Sequence, residues 1–146
     1  MAASDLPDVM GIALASFSNP WSIADFQTEL VHPFGCSLVV TEARHVLGFV
    51  CGRLVADEAE ILTLATATHH RRGGVAARLV ARFVQLAAER GAKHVYLEVR
   101  QSNLAAQSLY ESLGFRRIMV RASYYADNAE DAHVLGRKVD FMPFGA

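Results

Sequence analysis

The sequence predicts an α/β fold in three layers, a central mixed, mostly antiparallel sheet flanked by helices. Three features carry that expectation. Residues 36–67 contain three consecutive runs rich in β-branched and aliphatic side chains, separated by short polar breaks. At residue 75 the apolar period changes from that of strands to that of a helix. The segment 59–99 then reads strand, helix, strand, a crossover that obliges two strands of the sheet to run parallel.

Taken in order, residues 5–17 (DLPDVMGIALASF) form the first expected helix, with Leu6, Val9, Met10, Ala13, Leu14 and Phe17 as its apolar stripe. After the loop SNPW, Ser22 can cap a second short helix over 23–30, which Pro33 and Gly35 bring to an end. Strands follow at 36–42 (CSLVVTE), 46–55 (VLGFVCGRLV) and 59–67 (AEILTLATA), joined by hairpin breaks at ARH and ADE. Over 75–90, Val75, Leu79, Phe83 and Leu86 recur at helical spacing with Ala76, Val80, Val84 and Ala87 beside them. Arg78, Arg82, Gln85 and Glu89 occupy the other face, and Gly91 is the residue expected just past such a helix. HVYLEV (94–99) is a strand, and 104–113 a helix stopped at Gly114. Two last strands, around 116–125 and 133–139, enclose the acidic loop ADNAEDA. No linker, repeat or low-complexity segment interrupts residues 1–146, which read as a single domain.

Composition sets the outer limits. A 52% hydrophobic content over 146 residues is ample for one core and argues against a disordered chain. The formal net charge of −1 and a pI of about 6.6 argue against a surface built to grip nucleic acid, because such domains sit above pI ~9. A local basic pocket stays compatible with that balance. No apolar run nears the ~18 residues of a membrane span, and the start MAASDLPDVMG lacks a signal peptide's basic region and apolar core. A cytosolic protein is expected, without a membrane or direct nucleic-acid partner. Cys36 and Cys51 sit in strand-like runs without metal-ligand spacing and read as buried free thiols. His69 and His70 are adjacent, a poor geometry for one metal, and read as loop surface, so no metal is expected.

Between the strand ending at 67 and the helix starting at 75 lies RRGGVA (71–76), two arginines and two glycines at the mouth of a helix. Sheets of this class bind ligands there, outside the carboxyl ends of their strands. The glycines allow close backbone approach, and the helix start offers free N–H groups and roughly half a positive charge. Arginines can take phosphate oxygens bidentately. The spacing lacks the Gly-Lys-Ser/Thr of a P-loop and the G-x-G-x-x-G of a dinucleotide site. On position alone, an anion site and a plain structural turn both stay open.

RRGGVA fits R-x-x-G-x-A, a version of the acetyl-CoA loop of the GNAT N-acetyltransferases. YLEVRQSNLAAQSLYESLGF (96–115) resembles the RimI-type branch of that family, the ribosomal-protein-alanine N-acetyltransferases. So do NPW (19–21), AEILTLA (59–65) and YY (124–125) ahead of EDA (130–132), and the likeness covers about residues 5–139. The resemblance implies the GNAT fold and acetyl-CoA as co-substrate. It implies that Arg71, Arg72, Gly73, Gly74, Val75, Ala76 and Ala77 wrap the pyrophosphate of the coenzyme. It further implies that the backbone of Leu64, Ala65 and Thr66 holds the pantetheine arm and that Asn103 contacts the coenzyme from the other side. Glu98 matches the family's general base and Tyr110 its general acid. The implied acceptor is a protein N-terminus, with the N-terminal alanine of a ribosomal protein as its specific form.

The residue types suit that chemistry. An α-amino group with pKa ~8 costs roughly 1.4 kcal/mol to deprotonate at pH 7, against roughly 4.6 for a lysine at ~10.4. A chain terminus is therefore the easier acceptor for a modest base such as Glu98, acting directly or through water. A departing thiolate near pKa 8.5 takes a proton from tyrosine, near 10, at a cost of about 2 kcal/mol. Backbone N–H groups left unpaired where the two parallel strands splay can stabilise an oxyanion. Position alone also allows Glu98 a structural ion pair on the side of Arg100, and Tyr110 a place in the core with its hydroxyl satisfied. The acidic Asp127, Glu130 and Asp131 can be simply solvated, or can attract a basic peptide terminus.

Three departures from the family pattern stand out. Only four residues precede Asp5, so the family's first strand is truncated or absent. The run ATATHH (65–70) has Thr68 and His70 where the family has a proline and an aromatic, and Ala76 replaces the loop's second glycine. Acetylation of a small amine or a lysine side chain, and a coenzyme-binding domain without catalysis, are the alternatives; the presence of both Glu98 and Tyr110 speaks against the last.

Overall fold

Helix α1 (Leu6–Ser16) starts behind a 3-10 turn (Ala3–Asp5) and carries a proline in its first turn, where no backbone donor is lost. Helix α2 (Ile23–Val31) is closed by a reciprocal cap: Asp25 N–H donates to Ser22 Oγ at 3.1 Å and Ser22 N–H to Asp25 Oδ2 at 2.8 Å. The computed structural model describes residues 1–139. After α2 come β1 (Gly35–Glu42), β2 (His45–Val55), β3 (Glu58–Thr66), α3 (Val75–Glu89), β4 (His94–Arg100), α4 (Leu104–Ser112), β5 (Arg116–Arg121) and β6 (Ala132–Lys138).

The strands form one sheet in the order β1-β2-β3-β4-β6-β5, antiparallel throughout except for the β3–β4 pair, which is parallel as the crossover requires. On one face α3 packs Leu79, Val80 and Phe83 against Val50, Val95 and Leu97. On the other, Leu6 and Val9 of α1 and Phe26 of α2 cover Phe49 and Cys51, with the Phe26 and Phe49 rings edge-to-face at 5.5 Å. Covered on both sides, β2 is buried without a break from Val46 to Gly52. Glu29 of α2, itself buried, pairs with Arg53 and ties that helix to β2.

Two expectations shift. On α1, Leu6, Val9 and Ala13 are buried as expected, but Ile12 joins them while Leu14 is 66% exposed and Phe17 37%. At ~100° per residue the face that meets the sheet is turned toward Ile12, which swings Leu14 out. The strand expected at 116–125 ends at Arg121, because Ser123 adopts φ +49° and turns the chain away. No strand precedes α1 among the described residues; instead the Met1 amino group donates to Ser37 O on β1 at 3.0 Å. Cys36 and Cys51 are buried free thiols, both pushed up by burial, Cys51 to about 11.

Gly52 on β2 lies under the Phe83 ring of α3 and against the Glu60 carbonyl, and a Cβ there would collide with both. Gly52→Ala is expected to cost about 1–3 kcal/mol in urea unfolding, the usual range for overpacking; an unchanged midpoint would mean that α3 re-seats freely.

Candidate active site

β3 and β4 run together only from Glu58↔His94 to Ile61↔Leu97, although β3 continues to Thr66 and β4 to Arg100. The reason lies on the other side of β3. Its register with β2 slips between Cys51 and Gly52: Thr63 faces Cys51 and Ile61 faces Gly52, so Leu62 is one residue too many. Such a bulge bends the strand and sharpens its twist. From there β3 leaves β4, and the facing backbone edges of 62–66 and 98–100 lose their ladder. A cleft of about 630 Å³ opens between them, bounded by the α1–α2 loop (16–21), β3, the first turn of α3, β4, α4 and Tyr125. That volume suits a small-molecule site.

At the cleft's wall stand Leu64, Ala65, Thr66, Ala76, Glu98, Asn103 and Tyr110 from the sequence reading. Arg71, Arg72, Gly73, Gly74, Val75 and Ala77 form the turn and helix start beside Ala76 without lining the cleft itself. Arg72 takes φ +64° and Gly74, the N-cap of α3, φ +82°. Because Gly74 has no side chain, the first turn of α3 has no side-chain cap, whereas Ser22 caps α2 and Asn103 caps α4. Nothing lies within 4 Å of where a Gly74 Cβ would be. Free donors, an open approach and an exposed Arg72 fit a diphosphate. Two residues behave differently from expectation. Arg71 donates to Thr66 O at 3.4 Å and to Ser16 Oγ at 3.2 Å, stapling the turn to β3 and α1. The Val75 side chain is buried in the core, leaving only its backbone to face a ligand. Asn103 Oδ1 is engaged by Ala106 N–H at 3.1 Å as the α4 cap.

Glu98 and Tyr110 reach the cleft from opposite faces of the sheet. Leu97 and Val99 point into the α3-side core, so Glu98 points the other way. Tyr110 belongs to that core, 6% exposed and edge-to-face with Phe115 at 5.6 Å. Burial pushes its phenol far above the ordinary tyrosine value. The Glu98 carboxylate forms an ion pair with Arg121, Oε1 lying 3.1 Å from Nε. Hydrogen bonding to Glu98, then burial, pushes the Tyr124 phenol up. The ion pair that position allowed is therefore present, but its partner is Arg121, since Arg100 is already engaged. Arg100 grips Asp127 bidentately at 3.1 and 2.9 Å, reaches Glu130 at 3.4 Å and lies 3.9 Å over the Tyr125 ring. Asp131 accepts from Ser123 N–H at 2.8 Å. The acidic loop is thus folded on its own carboxylates.

The model of the acetyltransferase (GNAT) family matches residues 6–115. The chain belongs to the GNAT family. The ribosomal protein bS18-alanine N-acetyltransferase of Escherichia coli K12 is 31% identical over 137 residues, 92% of each chain. A crystal structure of the ribosomal-protein-S18-alanine N-acetyltransferase from Escherichia coli superposes with a TM-score of 0.88 over all of this chain and 95% of that one, at 28% identity. Ard1 from Thermoplasma volcanium superposes with a TM-score of 0.84 over 95% and 94%, at 31% identity. This GNAT enzyme is an acetyl-CoA-dependent N-acetyltransferase of the RimI type, with acetyl-CoA as its acyl donor. No described helix is long and apolar enough to cross a membrane.

The sequence reading missed several of the acetyltransferase's site groups. Phe17, Pro20 and Trp21 line the cleft from the α1–α2 loop, which only the fold brings there. Gln107 donates to Arg100 O at 3.0 Å and Gln101 O at 2.9 Å, pinning the β4–α4 turn. Glu130 fastens the 122–131 loop to that turn: Ser102 N–H donates to its Oε1 at 2.6 Å, and this bonding, helped by Asn128 and Arg100, holds its carboxyl at about 2. A depressed carboxyl strengthens the fold above the unfolded value of ~4.3 and loses that effect only as pH falls through the folded one. The Ser102 amide resonance is accordingly expected to titrate near pH 2; a midpoint near 4 would show that the anchor is not made.

Proposed function

We propose that the enzyme acetylates a protein N-terminal α-amino group, in its specific form the N-terminal alanine of a small-subunit ribosomal protein met in the cytosol, by direct transfer in a ternary complex. The observation that carries this reading is the cleft through the sheet, with a carboxylate on one face and a buried phenol on the other. The relatives of similar length named for ribosomal-protein alanine acetylation support the acceptor.

Acetyl-CoA supplies an activated thioester carbonyl. The turn from Arg71 to Ala77 binds its diphosphate through the uncapped first turn of α3, with Arg72 as the free cation. The unladdered edge of Leu64, Ala65 and Thr66 offers main-chain groups to the pantetheine arm, and Asn103 flanks it. Glu98 takes the proton of the attacking amine, directly or through water. As the new C–N bond forms and the C–S bond breaks, Tyr110 gives its proton to the leaving sulfur. Burial keeps the phenol protonated at neutral pH, and the thiolate appears in the same water-poor surroundings, which raise its proton affinity too. No cysteine lines the cleft among the described residues, so the acyl group has no thiol on which to rest.

Incubation with acetyl-CoA and peptides differing only in their first residues, beside a terminally blocked peptide bearing lysines, should place the acetyl group on the α-amine, most readily of an N-terminal alanine. Mass spectrometry reads the outcome; modification of lysines alone rejects the proposal. Glu98→Gln is expected to lower turnover by about 10²-fold, the lower range for a general base, with coenzyme affinity nearly intact in calorimetry. Collapse of that affinity would make Glu98 structural.

A further inference from the structure

We propose that Arg121 is a positioning residue for the transfer: it grips the Glu98 carboxylate from outside the cleft and fixes the orientation in which that carboxylate meets the acceptor amine. The inference rests on Glu98 being the base.

The sheet order puts the two residues within reach. β6 lies between β4 and β5, with Arg121 opposite Ala132 and Ala132 opposite Arg100. Two strand spacings, roughly 10 Å, separate β5 from β4. A long side chain must cross β6, and the small, fully buried Ala132 leaves the path above it open. Arg121 Nε arrives 3.1 Å from Glu98 Oε1. The contact is to one oxygen only, Tyr124 is a second neighbour of the carboxylate, and Glu98 itself lines the cleft.

The groups facing Glu98 make Arg121 the counter-charge on that flank. From β3, Glu60 repels it: desolvation and then the charge of Glu98 push the Glu60 carboxyl up. From the β5–β6 connection come the phenols of Tyr124 and Tyr125, neutral at pH 7. Arg100, on β4 itself, is held by Asp127 and Glu130. The α1–α2 loop segment that lines the cleft, 16–21, carries no charge. Of the arginines on β5, Arg121 is the one paired with a carboxylate among the described residues.

Such a pair does little for the fold. With side-chain exposures of 47% and 23% it is screened by water, and pairs of this kind contribute little to stability. Its effect falls on where the carboxylate points, and small misplacements of a reacting group cost up to 10²-fold in rate.

The test compares the full-length Arg121→Gln, Arg121→Lys and Glu98→Gln enzymes and the Arg121→Gln/Glu98→Gln double variant by steady-state kinetics, coenzyme calorimetry and thermal unfolding. Arg121→Gln is expected to lower kcat about 10-fold, with coenzyme Kd and Tm unchanged. Arg121→Lys should recover most of that loss, because an ammonium can make the same single contact. In the Glu98→Gln background Arg121→Gln should cost nothing further, the non-additivity of groups that act as a unit. A fully active Arg121→Gln, or an equal loss in both backgrounds, overturns the proposal. Failure of the underlying reading is seen separately, as full turnover in the Glu98→Gln single variant.

Discussion

Everything at this site depends on β3 and β4 parting company after Ile61 and Leu97. A parallel pair held to its full length would close the sheet and hide its backbone groups in the ladder. The extra residue at Leu62 prevents that, because beyond it β2 holds Thr63 to Thr66 opposite Cys51 to Gly48 in a register shifted by one residue, and so twists that stretch off β4. The parting leaves N–H and C=O groups that would be costly if buried dry. Here they border an open cleft, where water or an extended, amide-bearing ligand can satisfy them. A structural irregularity thus supplies the edge to which the pantetheine arm is proposed to bind.

The same gap brings together a carboxylate and a phenol in different surroundings, which suits the base and acid roles proposed for them. Glu98 lies on the face of the sheet opposite α3, among Arg121, Tyr124 and Glu60. Tyr110 lies on the α3 side, inside the apolar core, where ionisation is disfavoured. One sheet, passed through at its weak point, offers two dielectric environments a strand's thickness apart. The acid role proposed for Tyr110 suits a phenol that burial keeps protonated.

Much of this was legible in the chain. The change of period at residue 75, the strand–helix–strand unit and the glycines before α3 led to the sheet, its parallel pair and the glycine turn at the start of α3. The bulge at Leu62 was not legible, since a one-residue slip is invisible in a run as uniformly apolar as AEILTLA. Nor was Arg121. It is 23 residues from Glu98 in sequence (121 − 98), and their contact depends on β6 slotting between β4 and β5, an order that no local pattern encodes. The rotation of α1 escaped for a similar reason: Met10 and Ile12 are equally apolar, and only docking on the sheet chooses between them.

The unusual 65–70 segment shows how the turn keeps its shape without the family's proline. Thr68 to His70 form a 3-10 turn, closed by His70 N–H donating to Ala67 O at 2.9 Å, while Ala67 N–H donates to Leu47 O at 2.8 Å. Arg71 then fastens the following loop to Thr66 O and Ser16 Oγ. The rigidity that a proline would supply by restricting one φ is replaced by hydrogen bonds to two neighbouring elements. The paired arginines are placed differently. Arg71 holds the turn in place, whereas Arg72, left-handed at φ +64°, is exposed. A turn anchored in this way keeps the uncapped first turn of α3 facing open space, the feature on which the proposed diphosphate site rests.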